Sequence, residues 1–160
     1  MTLQIGDKIP SATLFEMGEE GPERISTEDL FGGKTVILFG LPGAFTPTCS
    51  EQHLPGYIAQ HDQLLDKGID EIICFSVNDA FVMGAWGKAQ KMDHKVRMIG
   101  DGSGLLTQKM GLELDRIDGG MGMRCVRFAM VIKDGVVQSL DIEAPGELEV
   151  SSAAAQLMKL

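Results

Sequence analysis

Continuous apolar runs alternate with helical segments along the chain, and this alternation is the feature that most limits its possible folds. The runs at 35–39, 71–77 and 96–99 are rich in β-branched and apolar residues. Such runs are typical of parallel strands that are covered on both faces of a sheet. Helical spacing separates them at 47–67 and 80–92, although Pro55-Gly56 should kink the first of these helices.

The last third of the chain adds an antiparallel element. Asp134-Gly135 suits a type I′ turn and lies between strand-like runs at 126–132 and 136–140, which predicts a β-hairpin. The remaining predicted elements are an extended segment at 11–15, a short helix opened by Ser26, a helix at 105–110 and a helix at 153–160 capped by Ser151-Ser152. The predicted fold is an α/β three-layer sandwich with a mixed central sheet flanked by helices. With no linker or internal repeat, residues 1–160 are predicted to be a single domain.

Composition excludes several classes of protein. The 160 residues carry a formal net charge of −9, and 44% of them are hydrophobic. This balance is that of a globular domain, and it argues against nucleic-acid binding or docking on an anionic membrane, which need clustered Lys and Arg. The first residues do not resemble a signal peptide, and no apolar run approaches the roughly 20 residues of a membrane span. We therefore expect a cytoplasmic protein.

The three cysteines, Cys49, Cys74 and Cys125, are too few and too oddly spaced for a disulfide framework or a zinc site. Three scattered histidines also make a weak case for a metal. Any function of the cysteines is therefore expected to be thiol chemistry.

Cys49 lies where a reactive thiol is expected. The loop at 40–46 leaves the carboxyl end of the first core strand, where α/β sheets carry their reactive groups. Thr46 followed by Pro47 is typical of a helix start, which would place Cys49 in the first helical turn. Unpaired backbone N–H groups and the helix dipole stabilise a thiolate there. The Thr46 hydroxyl would lie across the same turn, where it could donate to a bound oxidant. The competing interpretation is that Cys49 is a small buried hydrophobic residue.

The segment PGAFTPTCSEQHLPGY at 42–57 resembles the active-site segment of the peroxiredoxins, and specifically of the type II group that includes peroxiredoxin V. The segments SVND at 76–79, FVMGAW at 81–86, DGS at 101–103 and RFAM at 127–130 extend the resemblance over nearly the whole chain. It implies a thioredoxin-like fold, a homodimer and thiol-dependent reduction of hydroperoxides without a metal or organic cofactor.

The resemblance also implies roles for individual residues. Cys49 corresponds to the peroxidatic cysteine, which attacks the peroxide and becomes a sulfenic acid. Pro42 would shield the sulfur and shape the loop. Thr46 and Arg127 would donate to the peroxide oxygens, and Arg127 would also hold the thiolate charged. An arginine suits this position because it stays ionised even when it is partly buried.

Several neighbouring residues have two interpretations. His53 lies four residues after Cys49, so it could act as a base, although a hydrogen-bonding role is favoured. Trp86 and Phe45 could line an apolar pocket mouth or pack in the core or an interface. Arg124 is expected to stay solvated or to form an ion pair.

The other two cysteines decide how Cys49 would be regenerated. Cys74 lies in the middle of a predicted strand, where a buried inert thiol is favoured. Plant-like type II members have a cysteine at this position, however, which makes Cys74 a candidate resolving residue. Cys125 has no assigned role, and residues 148–160 lack the resolving cysteine of the mammalian members. We therefore expect direct reduction by glutathione with glutaredoxin, with thioredoxin as the second choice.

Two further hypotheses compete with the peroxidase. The chain could be a non-catalytic peroxide sensor or holdase that signals through oxidised Cys49. A general disulfide oxidoreductase is less favoured, because such proteins normally have CxxC and the residue three positions before Cys49 is Thr46. Repeated turnover with a thiol reductant distinguishes an enzyme from a sensor.

Overall fold

The computed structural model describes residues 2–160, which form a seven-stranded mixed sheet, a separate two-stranded sheet and flanking helices. The strands are β1 (Thr13–Gly18), β2 (Gly21–Ser26), β3 (Thr35–Gly40), β4 (Glu71–Ser76), β5 (Arg97–Gly100), β6 (Glu113–Arg116), β7 (Gly122–Cys125), β8 (Phe128–Lys133) and β9 (Val136–Ile142). The helices are α1 (Thr27–Phe31), α2 (Leu54–Ala59), α3 (His61–Asp66), α4 (Ala80–Ala89), α5 (Leu105–Met110) and α6 (Ala153–Lys159), and a π-helical turn at Cys49–His53 precedes α2.

The large sheet has the order β2-β1-β5-β4-β3-β8-β9. Its centre is parallel, since β4 pairs in parallel with both β3 and β5, while β8, β9, β1 and β2 add antiparallel edges. The hairpin between β8 and β9 turns at Asp134 and Gly135, which both have positive φ as a type I′ turn requires. The predicted α/β fold with a mixed sheet is confirmed.

The central strands bury both faces, as their continuous apolar runs predict. In β3, Val36 and Leu38 pack with α1 and α5 on one face, and Ile37 and Phe39 pack with α2, α3 and α4 on the other. The two cores lie on opposite faces because successive side chains of a strand alternate. Cys49 belongs to the second core.

The helix that begins at Pro47 differs from the sequence prediction. Its backbone widens at Cys49–His53, where the Leu54 N–H bonds to the Cys49 carbonyl five residues back, and it breaks at Gln60. The predicted irregularity at Pro55-Gly56 thus takes the form of a wider turn just before Pro55. Because Pro55 has no N–H and its ring crowds the preceding turn, the irregularity falls just before it.

Three strands were not predicted from the sequence: β2, β6 and β7. Strands β6 and β7 have only four residues each. Strand β2 carries Pro22 with exposed polar neighbours, so no apolar alternation marks it. None of the helices in residues 2–160 is long and apolar enough to cross a membrane.

Candidate active site

The loop after β3 delivers Cys49 to the carboxyl edge of the sheet. The Leu41 N–H donates to the Phe75 carbonyl at 3.2 Å, and the Ala44 N–H donates to Asn78 Oδ1 at 3.0 Å, so the end of β4 holds the loop. The helix then begins at Pro47, as predicted. The side chain of Cys49 is fully buried in the first turn.

Arg127 contacts the sulfur directly. It lies between β7 and β8, and its Nη2 donates to Cys49 Sγ at 3.2 Å. Arginine keeps its charge under all cellular conditions, so a cation always faces this sulfur. A hydrogen bond from a charged donor is of the stronger kind, so it holds the guanidinium at the sulfur. The structure therefore brings together the two residues that the sequence prediction made most important.

His53 holds the other end of the guanidinium. Arg127 Nη1 donates to His53 Nδ1 at 2.8 Å, and His53 Nε2 donates to the Ser151 carbonyl at 3.0 Å. Burial, and secondly the charge of Arg127, lower the pKa of His53 to about 3. The imidazole is neutral and both of its nitrogens are occupied, so it has no lone pair free to deprotonate Cys49. This geometry supports the hydrogen-bonding role of His53 over the role of a base.

Thr46 lies at the helix start, but its hydroxyl is oriented differently from the prediction. Oγ1 donates to the Gly43 carbonyl at 2.7 Å, and the Thr46 carbonyl accepts the Ser50 N–H at 2.9 Å. The expectation that the hydroxyl donates to a bound oxidant is therefore wrong. Because its one proton is used within the loop, Oγ1 can only accept.

A cleft of about 340 Å³ opens at these residues. Most of its lining is apolar, with polar groups from Thr46, Arg116, Arg127 and Glu143. Its walls include Pro42, Thr46, Pro47, Thr48, Leu114, Arg116, Met121, Val126, Arg127, Glu143, Ala144, Pro145 and Gly146. Pro42 is one of the lining residues of this cleft, and its shielding of the sulfur stays a prediction.

Phe45 and Trp86 do not line this cleft, so the pocket-mouth interpretation is wrong for both. Trp86 is fully buried in the core, and its Nε1 donates to Ser50 Oγ at 3.0 Å. Phe45 has a left-handed backbone with φ of 65° and its side chain is 56% exposed. The Phe45 ring centroid lies 6.4 Å from that of Trp86, so the partly exposed ring of Phe45 packs near the buried indole.

Arg124 is neither ion-paired nor simply solvated, which corrects the sequence prediction. Its Nε donates to the Met121 carbonyl at 2.8 Å, and its Nη1 donates to the Pro42 carbonyl at 3.4 Å. A Cβ on Gly43 would lie 2.9 Å from the same Nη1. Arg124 therefore packs against the loop that carries Pro42.

The remaining thiols lie in the core. Cys74 is in the middle of β4, paired with Phe39 on one side and Met98 on the other. Burial raises the pKa of Cys74 well above its ordinary value. The Cys125 thiol donates to the Leu41 carbonyl at 3.2 Å, and burial raises its pKa to about 12. Both thiols stay protonated at neutral pH and are poor nucleophiles.

The sequence analysis missed Ser151 and Glu143, the polar residues that lie behind His53 in the hydrogen-bond chain from Arg127. Glu143 Oε2 accepts from the Ser151 N–H at 2.8 Å and from Ser151 Oγ at 2.6 Å. The Ser151-Ser152 pair was interpreted as a helix cap, but only Ser152 caps α6. A helix needs only one capping serine, so the second serine of the pair was the sequence signal for a separate role.

Within residues 2–160 no group of three or more histidine, cysteine and carboxylate residues is placed to hold a metal. His61 Nδ1 instead contacts the Asp62 carboxylate at 2.8 Å on the surface, and His94 is exposed.

Known proteins are similar to this chain over nearly its whole length. The redoxin family model matches residues 4–157. Peroxiredoxin-2B of Arabidopsis thaliana is 49% identical over 152 residues, which cover 94% of each chain. The crystal structure of reduced Prx3 from Vibrio vulnificus in complex with H2O2 is similar, with a TM-score of 0.95, 48% identity and 99% of each chain covered. Peroxiredoxin 5 from Alvinella pompejana matches with a TM-score of 0.85 and 33% identity, covering 98% of this chain and 96% of its own.

Proposed function

The chain belongs to the redoxin family and, within it, to the type II peroxiredoxins, and from this membership we propose how its residues reduce hydroperoxides. The observation that carries the proposal is the 3.2 Å contact from Arg127 Nη2 to Cys49 Sγ, at a helix start that opens on a cleft. Cys49 is thus the thiol that faces a cation.

The reaction is an in-line displacement at oxygen. The Cys49 thiolate forms a bond to the terminal oxygen of the hydroperoxide, and the O–O bond breaks. The sulfur is oxidised to a sulfenic acid that keeps the hydroperoxide proton, and the other oxygen leaves as an alkoxide or hydroxide. That oxygen takes a proton from water and departs as an alcohol or as water.

The neighbouring groups suit this charge movement. Arg127 stabilises the thiolate and then the negative charge that develops on the leaving oxygen. Thr46 Oγ1, which is free to accept, receives the O–H of the bound hydroperoxide and orients it. Pro42 and the apolar wall exclude bulk water, which strengthens both interactions.

Peroxide consumption by the Cys49→Ser variant tests this function. We expect no turnover with any thiol reductant, whereas the matched Cys125→Ser variant keeps turnover because Cys125 packs in the other core and a serine can keep its hydrogen bond to the Leu41 carbonyl. Retained turnover in Cys49→Ser would refute the proposal. A single oxidation of wild-type protein without repeated turnover would favour a sensor instead.

The reductant that we propose is glutathione, acting directly on Cys49 with glutaredoxin, and thioredoxin is the second choice. Cys74 is held between two strands, and a disulfide needs Cα atoms within about 7 Å. Its raised pKa also leaves it protonated. In the proposed cycle glutathione displaces water from the sulfenic acid, and a glutaredoxin thiolate then takes the glutathione, which leaves the Cys49 thiolate.

Mass spectrometry after one equivalent of peroxide tests this route. With glutathione present we expect one glutathione adduct, located on Cys49. A disulfide between Cys49 and Cys74 would contradict direct reduction. Faster turnover with thioredoxin than with glutaredoxin would select the second choice.

We also propose a homodimer that forms at the carboxyl edge of the sheet. Phe45, Phe81 and Leu105 each expose more than half of their side-chain surface there, on the loop and helices that follow β3, β4 and β5. Contiguous exposed apolar patches mark protein–protein interfaces, and in the proposed dimer these three side chains form one such patch. Light scattering should give a dimer mass that Phe81→Asp reduces to a monomer, whereas Ile117→Asp, on another exposed apolar residue, should leave the dimer intact.

A further inference from the structure

A ring of hydrogen bonds begins and ends on Arg127. Its Nη1 donates to His53 Nδ1 at 2.8 Å, and His53 Nε2 donates to the Ser151 carbonyl at 3.0 Å. Ser151 donates through both N–H and Oγ–H to Glu143 Oε2. The Glu143 N–H closes the ring by donating to the Arg127 carbonyl at 2.9 Å.

We propose that Glu143 and Ser151 are positioning residues for peroxide reduction, which hold the Arg127 guanidinium against Cys49 through His53. This inference rests on the proposed function, because it concerns the same site. Neither residue contacts the sulfur in the structure. Both act on Arg127, which does contact the sulfur.

Glu143 is built to hold a fixed main-chain conformation. Its side chain lies at the end of β9 and only 8% of the residue is exposed. A single carboxylate oxygen accepts three hydrogen bonds, two from Ser151 and one from the Glu149 N–H at 2.7 Å. Hydrogen bonds to a charged acceptor are the stronger kind. The carboxylate therefore connects residues 149–151, which precede α6, to the end of β9.

Ser151 determines which nitrogen of His53 carries the proton. Its carbonyl accepts from His53 Nε2 and from Tyr57 Oη at 2.7 Å. A carbonyl cannot donate, so Nε2 must carry the proton and the Nδ1 lone pair must face Arg127. Since Arg127 can only donate, this tautomer is the one that attracts its Nη1.

The consequence is a guanidinium fixed at two points. Arg127 has a long side chain with many rotamers, and ordering it costs conformational entropy. With Nη1 held by His53, Nη2 is left at 3.2 Å from Sγ. Misplacement of such a group by about 1 Å is enough to slow a reaction by as much as 100-fold.

Two adjacent serines allow a matched test. Ser151→Ala removes one hydrogen bond to Glu143. Ser152→Ala removes the cap bond from the Ala155 N–H and a bond to the Glu149 carbonyl, neither of which belongs to the ring. Both variants should lose a similar amount of thermal stability. Glu143→Gln keeps an acceptor oxygen and the shape of the side chain but removes the charge.

The readout is the rate at which H2O2 oxidises reduced protein, followed by stopped-flow fluorescence. The chain has one tryptophan, Trp86, and its Nε1 contacts Ser50 next to Cys49. We expect Glu143→Gln to slow oxidation roughly 10-fold and Ser151→Ala roughly 3-fold, with Ser152→Ala at the wild-type rate. Equal rates in the Ser151→Ala and Ser152→Ala variants would overturn the proposal.

A double-mutant cycle separates positioning from general structural support. In an Arg127→Ala background the ring has no guanidinium to place, so Glu143→Gln should have less than about a twofold effect. The same slowing in both backgrounds would show a structural role and overturn the proposal. If Glu143→Gln does not fold, Ser151→Ala is used in the same cycle. Wild-type protein that H2O2 does not oxidise would refute the proposed function itself, whereas normal wild-type oxidation with unaffected variants refutes only the ring.

Discussion

Replacing Arg127 by alanine is the most direct perturbation of this site. The variant removes the hydrogen bond of Nη2 to Cys49 Sγ and that of Nη1 to His53. A hydrogen bond to a charged group contributes about 1.5–3 kcal/mol, which corresponds to roughly 10- to 100-fold in an equilibrium. The same guanidinium faces the charge that develops on the leaving oxygen, and the loss of such a donor typically slows a reaction by about 100- to 1000-fold.

We therefore expect Arg127→Ala to oxidise about 100- to 1000-fold more slowly with H2O2, measured by the stopped-flow fluorescence of Trp86. The fold should survive with a loss of about 1–3 kcal/mol in unfolding free energy, because His53 Nδ1 becomes a buried acceptor without its donor. Arg127→Lys keeps the charge but lacks the planar fork that reaches both Cys49 and His53, so its oxidation rate should fall between those of the wild type and Arg127→Ala.

Arg24→Ala is the charge-matched control, because Arg24 contacts the Phe15 ring on β1 instead of the site. It should oxidise at the wild-type rate. A wild-type rate in Arg127→Ala would refute the assigned role of Arg127. Equal losses in Arg24→Ala and Arg127→Ala would show that net charge, and not the local contact, determines the rate.

Three further predictions concern His53, Thr46 and Gly40. The pKa of His53 is about 3 when folded and near 6.5 when unfolded. Its contribution to stability is therefore complete above pH 6.5 and is lost as the pH falls toward 3. Urea titrations over that range should show that His53→Gln loses less unfolding free energy than the wild type, by up to about 1.4 kcal/mol per pH unit. Thr46→Val removes the acceptor and the bond to the Gly43 carbonyl and should slow oxidation roughly 10-fold, whereas Thr46→Ser should stay near the wild-type rate, and equal rates in the two variants would contradict the acceptor role. A Cβ on Gly40 would lie 2.1 Å from Phe128 Cε1, so Gly40→Ala should lower the unfolding free energy by about 1–3 kcal/mol. A Cβ on Gly56 meets nothing closer than 3.9 Å, so Gly56→Ala should be neutral or stabilising in a thermal melt.

The elements predicted correctly are those whose signals are local. The apolar run of β3, the Asp134-Gly135 turn and the Thr46-Pro47 helix start each depend on a few adjacent residues. Strand β2 depends on pairing with β1, and nothing within its own sequence specifies that partner. The π-helical turn likewise depends on how a continuous helix accommodates Pro55 beneath a loop held by β4.

The residues of the site also divide into those with a local sequence signal and those that depend on distant partners. Cys49, Thr46 and Pro42 belong to one contiguous segment, and the resemblance assigned Arg127. Glu143 and Ser151 could not be found, because their contacts link a strand end, a loop and a helix that are far apart in sequence. The orientation of the Thr46 hydroxyl also could not be predicted, since the competing acceptor is the Gly43 carbonyl three residues back in the same loop.

The three cysteines show that burial alone does not determine the chemistry of a thiol here. Cys49, Cys74 and Cys125 are all fully buried, so a ranking by exposure would treat them alike. Cys125 donates to a carbonyl and must keep its proton, and Cys74 has the apolar centre of the sheet around it. Cys49 instead accepts from a guanidinium. In a chain of net charge −9, the cation that the reaction needs is supplied by one side chain, and its placement selects which thiol reacts.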